Sequence, residues 1–346
     1  MSTSDICKIC KDSASKSNND VCGEVNDMLQ NMCTDDDNVL SVCANCGKEG
    51  DDVNNSCNKC KMVKYCNAVC KKKHQHKHKK ECEEHLKLAA EHAAELHDEK
   101  LFKHSPPQYG DCPICFLLLP TLTSGWRYMV CCGKTICSGC LHAPLYDNEG
   151  NEVDIVKQNE CAFCRVVAPY TIGEAIEREK KRLEKDDPIA IYNIGNYYRD
   201  RRNGFPQDYT KALELYHRAA ELGYAMAYTN IGVFYYNGYG GVDIDKEKAK
   251  HYFELAAMKG DASARYNLGN TKKKAGNIDR AIKHYMIAVR AGYSDSLKQI
   301  QKMYSNGQAT KEDYTKALES YQEYLADIKS KQRDEAAAFH EDYRYY

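Results

Sequence analysis

The chain has 346 residues, 42% hydrophobic and 29% charged, with a formal net charge of −1. That length predicts two or three domains, and the longest apolar run, Ile114 to Leu119, is far too short to span a bilayer. A near-neutral chain excludes global attraction to nucleic acid.

Nineteen cysteines suit either a disulfide scaffold or bound metal. Their Cys-x-x-Cys pairing, in a sequence without a secretory apolar stretch near its start, points to metal in a reducing compartment, the cytosol or nucleus. With fifteen of them as thiolates around four zinc ions, the charge falls to about −8.

Residues 1–40 are rich in Ser, Asn and Asp and carry Cys7, Cys10, Cys22 and Cys33. Cys7-x-x-Cys10 has the spacing to begin a zinc site, but Cys22 and Cys33 stand alone. A disordered polar tail with free thiols is expected.

Within residues 43–82 fall Cys43-x-x-Cys46, Cys57-x-x-Cys60, Cys66-x-x-x-Cys70 and His78-x-x-x-Cys82. These four ligand pairs suffice for two closed tetrahedral zinc sites. So short a stretch rarely buries enough apolar surface to fold alone, whereas structural zinc contributes roughly 10–16 kcal/mol. Together with Tyr65-Cys66 and the closing His74-x-x-x-His78-x-x-x-Cys82, the pattern resembles the MYND zinc finger. The resemblance implies that Cys43, Cys46, Cys66 and Cys70 bind one zinc, and Cys57, Cys60, His78 and Cys82 the second. It gives His74 a supporting role without metal, and Gln75 departs from the aromatic usual there. It also implies peptide binding rather than chemistry. The basic run Lys71 to Lys80 reads either as a nucleic-acid or nuclear-import patch or, preferably, as local counter-charge favouring thiolates.

Leu86, Ala89, Ala90, Ala93 and Leu96 recur at helical spacing, which predicts a linker helix over 83–104. Ser105-Pro106-Pro107 ends it and marks a domain boundary.

Residues 110–167 hold Cys112-Pro-Ile-Cys115, Cys131-Cys132, Cys137-x-x-Cys140 and Cys161-Ala-Phe-Cys164. This cluster resembles a RING finger, whose two zincs are held by interleaved pairs. The resemblance implies a first site of Cys112, Cys115, Cys137 and Cys140. At the second, Lys134 stands where the family has histidine, and a protonated lysine offers no lone pair. Cys131, Cys132, Cys161 and Cys164 are the expected set, with His142 as the alternative fourth ligand. Adjacent side chains on a strand point apart, so Cys131 and Cys132 share an ion only across a local turn. About four zinc ions are expected in all. The resemblance further implies that Ile114 contacts a ubiquitin-conjugating enzyme and that Arg165 bridges that enzyme to ubiquitin, a role suited to a planar five-donor fork. Against it, Ala162 replaces the proline usual in active members, Ile114 has a packing role available, and an exposed Arg is common anywhere. Trp126 reads as packing.

A charged connecting helix is expected over 173–186. Beyond it, Tyr-Asn-Ile-Gly (192–195), Tyr-Thr-Asn-Ile-Gly (228–232) and Tyr-Asn-Leu-Gly (266–269) recur at a constant offset, with second helices opening near Lys211, Lys248, Arg280 and Lys316. A fixed period of this size predicts a solenoid of helix pairs. The region 187–330 resembles Sel-1-like repeats, relatives of the tetratricopeptide hairpin, with three clear units and one degenerate terminal unit. Gly195, Gly232 and Gly269 each cost about 1 kcal/mol inside a helix, which suggests close helix crossing. Gly223, Gly260 and Gly292 read as C-terminal caps, and Asp208 and Asp245 as N-caps. Asn193, Asn230 and Asn267 form a ladder that suits either partner contact or the repeat's own consensus. The tail 331–346 is expected to extend or fray the last helix.

The expected fold class is mainly α: two small zinc-stabilised modules followed by an α-helical solenoid of helix-turn-helix repeats. No triad, phosphate loop or open metal site is evident. The expected function is an intracellular zinc-binding interaction scaffold with protein or peptide partners and no membrane. Its sharper form is a RING-type ubiquitin ligase whose repeats and MYND module recruit substrates. A non-enzymatic adaptor is the alternative, and a nucleic-acid-associated regulator the weaker one.

Overall fold

The computed structural model describes residues 42–50, 53–60, 62–103, 109–146, 152–154 and 158–346. Cys7, Cys10, Cys22, Cys33 and Ser105-Pro106-Pro107 lie outside them. The chain divides into two compact units, Met1–Lys100 and Leu101–Tyr346.

In the first unit, β1 (Asn55–Ser56) pairs antiparallel with β2 (Lys64–Tyr65), and α1 follows over Ala68–Phe102. Its buried cluster is Cys43, Val53 and Tyr65, edged by Cys57, Cys66 and Cys70. Sulfur shares the centre with the side chains of Val53, Val63 and Tyr65. Helix α1 starts at Ala68, well before the expected linker helix, because the Lys and His run between 71 and 80 breaks the apolar periodicity without breaking the helix. His74, His78 and Cys82 recur every four residues and so share one helical face.

The second unit opens with the final residues of α1. Leu101 is buried among Phe253, Ala257 and Leu268, and Arg265 donates to the Leu101 carbonyl. Strands β3 (Trp126–Met129) and β4 (Lys134–Cys137) form an antiparallel hairpin, followed by the short α2 (Ser138–His142) and then α3 (Ile172–Leu183). Trp126 packs on Tyr109 at 4.7 Å and donates to the Pro120 carbonyl at 3.0 Å.

Four helix pairs make the solenoid: α4 (Pro188–Asp200) with α5 (Tyr209–Glu221), α6 (Ala225–Asn237) with α7 (Lys246–Met258), α8 (Ala262–Lys274) with α9 (Ile278–Arg290), and α10 (Ser294–Ser305) with α11 (Lys311–Ile328). Local chemistry sets their ends. Asp208 accepts from the Lys211 amide and Asp245 from the Lys248 amide, both at 2.9 Å. Gly223, Gly260 and Gly292 have φ of +91°, +94° and +83° just past the second helices.

Why the helices carry glycine is visible in the crossings. A Cβ on Gly195, Gly232 or Gly269 would come within 2.9 Å of Tyr216, 2.7 Å of Phe253 or 2.5 Å of Tyr285. Each aromatic ring of the second helix therefore sits against the bare backbone of the first. The Tyr216 hydroxyl donates to Asn196 and that of Tyr285 to Asn270, both at 2.8 Å. In the middle unit the matching residues are Phe253 and Val233, so the hydroxyl and its acceptor are replaced together.

The end of the chain neither extends α11 nor frays. Lys329 and Ser330 are extended, Ser330 caps a new helix, and α12 runs over Lys331–Phe339. It packs back on α2, and the solenoid also touches the segment 109–121. The Thr121 amide donates to Tyr324 at 2.8 Å, and Tyr109 donates to the Met226 sulfur at 3.1 Å. Among the described residues no helix is long and apolar enough to cross a membrane.

Candidate metal centres

Three segments fold into the same knuckle. Val42 bridges to Glu49, Asp111 to Leu118 and Glu160 to Val167. In each, the first cysteine's amide donates to a carbonyl five residues on: Cys43 to Lys48 at 2.8 Å, Cys112 to Leu117 and Cys161 to Val166 at 2.9 Å. The residue after the second cysteine donates back to the first cysteine's carbonyl, from Gly47, Phe116 and Arg165, each at 2.9 Å. That residue is left-handed every time, with φ of +69°, +57° and +62°. Glycine adopts this conformation freely; a bulky L-residue is an outlier there.

Knuckles and helices together gather four ligand sets: Cys43, Cys46, Cys66 and Cys70; Cys57, Cys60, His78 and Cys82; Cys112, Cys115, Cys137 and Cys140; and Cys131, Cys132, Cys161 and Cys164. The first two interleave along the sequence, and so do the last two. All described cysteines are free. A tetrahedral zinc with bonds of about 2.3 Å needs sulfurs about 3.8 Å apart. The separations are 3.6 Å for Cys46–Cys66 and Cys66–Cys70, 3.9 Å for Cys57–Cys82, 3.7 Å for Cys115–Cys137, 3.9 Å for Cys132–Cys161 and 3.5 Å for Cys131–Cys164. His78 turns Nε2 to its set, 3.1 Å from the Cys60 sulfur.

The electrostatics ask for a cation. Desolvation raises the Cys43 thiol, but amides of Cys66, Cys46 and Asn45 bring it down to about 6. Cys57 also falls to about 6 against desolvation, through amides of Cys60 and Lys59. Their neighbours go the other way. Desolvation and the surrounding sulfurs push Cys66 and Cys82 up to about 12. In each of these two sets one thiolate is welcomed by backbone N–H groups while another lacks positive charge, and a bound Zn²⁺ supplies it. The donor types, spacings and closed coordination fit structural zinc.

At the Cys131 set the expected turn is present. Residues 130–133 join β3 to β4, and the amides of Cys132 and Gly133 both donate to the Met129 carbonyl, at 3.2 and 2.8 Å. Adjacent cysteines thereby converge. Arg182 of α3 braces the turn through the Cys131 carbonyl at 2.9 Å and pairs with Asp187 at 3.8 Å. His142 is not in the set; its ring is buried 5.3 Å from Tyr146 and 5.0 Å from Phe339.

The other expected positions are distributed differently. His74 bonds the Tyr65 hydroxyl at 3.3 Å and stands outside both sets. Lys71 turns onto the Ser56 carbonyl at 2.7 Å and Asn58 at 2.6 Å. Ile114 and Arg165 are exposed at knuckle tips. Asn193 donates to Glu179 at 2.8 Å and Asn230 to Asn196 at 3.2 Å; Asn267, half-buried, has no side-chain hydrogen bond among the described residues. Phe116, 77% exposed, escaped notice in the sequence. Superposing the three Cys-x-x-Cys segments by position would have marked it, since it stands where the first has Gly47.

Residues 43–82 match the MYND finger family, and residues 188–224, 225–261 and 302–322 match the Sel1 repeat. The chain thus carries a MYND finger and Sel1 repeats. No match falls on 262–301, where the turn between α8 and α9 is shortened. No curated protein matches the chain. Among solved structures, a Sel1 repeat protein from Oxalobacter formigenes is 30% identical, covering 46% of this chain and 66% of its own, with a TM-score of 0.41. A protective antigen with an SLR fold from uropathogenic Escherichia coli is 26% identical, covering 50% of this chain and 38% of its own, with a TM-score of 0.38.

Proposed function

We propose that this protein is a zinc-dependent interaction scaffold whose Cys112–Cys164 module works as a RING-type docking site for a ubiquitin-conjugating enzyme. The MYND finger and Sel1 repeats support the scaffold. The observation that carries the sharper reading is the interleaved pairing of two tetrathiolate sets that leaves Ile114, Phe116, Phe163, Arg165 and Val166 exposed around the knuckles. Such a module forms no covalent bond with substrate. It holds the charged enzyme's thioester in a reactive pose, with apolar tips as the anchor and the Arg165 fork bridging to ubiquitin. Zinc bound by the four sets supplies folding energy and keeps the tips rigid. The MYND finger and solenoid then recruit substrates as peptides or helices. Fifteen free thiols in metal-type sets favour a reducing compartment, the cytosol or nucleus.

One observation favours the adaptor reading. Ser138, Gly139, Cys140 and His142 of α2 are buried, and α12 packs on that helix, which narrows the face left for an enzyme. The test is discharge of ubiquitin from a panel of charged conjugating enzymes by zinc-loaded protein. Stimulated discharge lost in Ile114→Lys and Arg165→Ala, with zinc content unchanged, is the expected result. No stimulation across the panel overturns the ligase reading in favour of the adaptor.

A further inference from the structure

Arg333 is fully buried at 0% exposure, and among the described residues it forms no ion pair with a carboxylate. Burying a guanidinium is costly unless its donors are satisfied and its charge is met. The two Nη groups find carbonyls: Nη1 reaches Leu118 at 2.9 Å and Ile328 at 2.6 Å, and Nη2 reaches Leu117 at 3.4 Å, whereas Nε has no partner among the described residues. Leu117 is also the residue whose carbonyl closes the Cys112 knuckle. On the other side of the set, a Cβ on Gly139, between Cys137 and Cys140, would come 3.0 Å from the Arg333 Cγ. The side chain therefore joins the two halves of one ligand set, the knuckle bearing Cys112 and Cys115 and the segment Cys137–Cys140. A zinc ion in four thiolates carries a net charge of about −2, and that is the countercharge this buried cation lacks in the protein.

The segment around it is built to hold that position. A Cβ on Gly139 would come 2.8 Å from the Arg333 amide nitrogen, so α2 and α12 touch backbone to backbone. Ser330 accepts from the Arg333 amide at 3.3 Å. Further on, Ser124 donates to the Arg344 carbonyl at 2.6 Å, Tyr345 is 2% exposed, and its hydroxyl bonds Asp334.

We infer that Arg333 is a positioning residue for the Cys112, Cys115, Cys137 and Cys140 zinc centre, and that residues 331–346 are the strap that closes it. The inference rests on zinc loading of that set and not on ligase activity. It makes one of the module's zinc ions dependent on a side chain that lies far outside the module in sequence.

The experiment follows zinc release from the full-length protein to a chromogenic chelator, with the other centres as internal reference. Outer-sphere partners of metal ligands are worth about 10–100-fold in affinity. Arg333→Ala should loosen a single zinc equivalent by that factor and leave the others unchanged. Arg333→Lys, which keeps the charge, should restore retention in part. In cobalt-substituted protein, Arg333→Ala should shift the thiolate charge-transfer bands of one centre, a change that lost packing alone does not produce. If Arg333→Ala fails to fold, Arg333→Met serves as the uncharged variant. Release indistinguishable from wild type, or Arg333→Lys no better than the uncharged variant, overturns the inference. Wild-type protein that holds only the two zinc ions of residues 43–82 fails the zinc reading itself, a separate and prior count.

Discussion

Position by position, the three knuckles act as an internal control. They share one backbone and one hydrogen-bond pattern, yet the left-handed residue is Gly47 in one and Phe116 or Arg165 in the others. A left-handed L-residue costs roughly 1–2 kcal/mol, and Phe116 recovers little of it by burial, being 77% exposed. Strain kept at an exposed aromatic points to a contact made outside the chain. Phe116→Gly should therefore leave zinc content unchanged and raise stability by up to about 1 kcal/mol, after glycine's own entropy cost. It should also abolish stimulated discharge. Thermal unfolding and the discharge assay check this together; a drop in stability would make Phe116 a packing residue. The ligand spacings themselves were legible in the sequence, because thiolate pairs around zinc tolerate few separations. Phe116, Arg182 and Arg333 were not, since their roles depend on φ and on distant carbonyls that no local pattern encodes.

Among the elements, the first three helix pairs obey a simple rule: bare glycine on the first helix, an aromatic against it on the second. The rule extends to Asn196 with Tyr216 and Asn270 with Tyr285, against Val233 with Phe253. Phe253→Tyr alone should bury a hydroxyl without an acceptor and cost about 1–3 kcal/mol. Adding Val233→Asn should recover at least about 1 kcal/mol, a positive coupling that a double-mutant cycle by chemical denaturation measures. Additive losses would mean that the two positions do not meet. The period, the glycines and the Asp caps made these helices readable in advance. Helix α1 was read too short because His and Lys replace apolar residues where metal, rather than a hydrophobic face, holds the helix. Helix α12 was read as a tail because the extended break at Lys329 and Ser330 has neither glycine nor proline to announce it.

At the scale of the whole molecule, stability comes from two sources with separate levers. The solenoid's core clusters contain Ala, Tyr, Phe, Ile and Leu and no cysteine, so they do not depend on metal. Excess chelator should strip the four sets and unfold residues 43–82 and 112–164, while well over about half of the helical circular dichroism persists, as expected for a stack whose units hold one another. Collapse of the whole helical signal on chelation would show that the solenoid leans on the zinc modules. The fold class follows from the same division, since repeats and ligand pairs are the two most local signals a chain can carry, and the repeats and the MYND finger were read correctly. How the second zinc module joins the solenoid is a long-range matter, settled by residues such as Thr121, Tyr324 and Arg333. That wiring has a temporal side. During synthesis Cys164 leaves the ribosome well ahead of Arg333, by roughly ten to thirty seconds at 5–20 residues per second. For that interval the Cys112 set stands open, its thiols exposed to oxidants and to competing metals before its last structural element has been made.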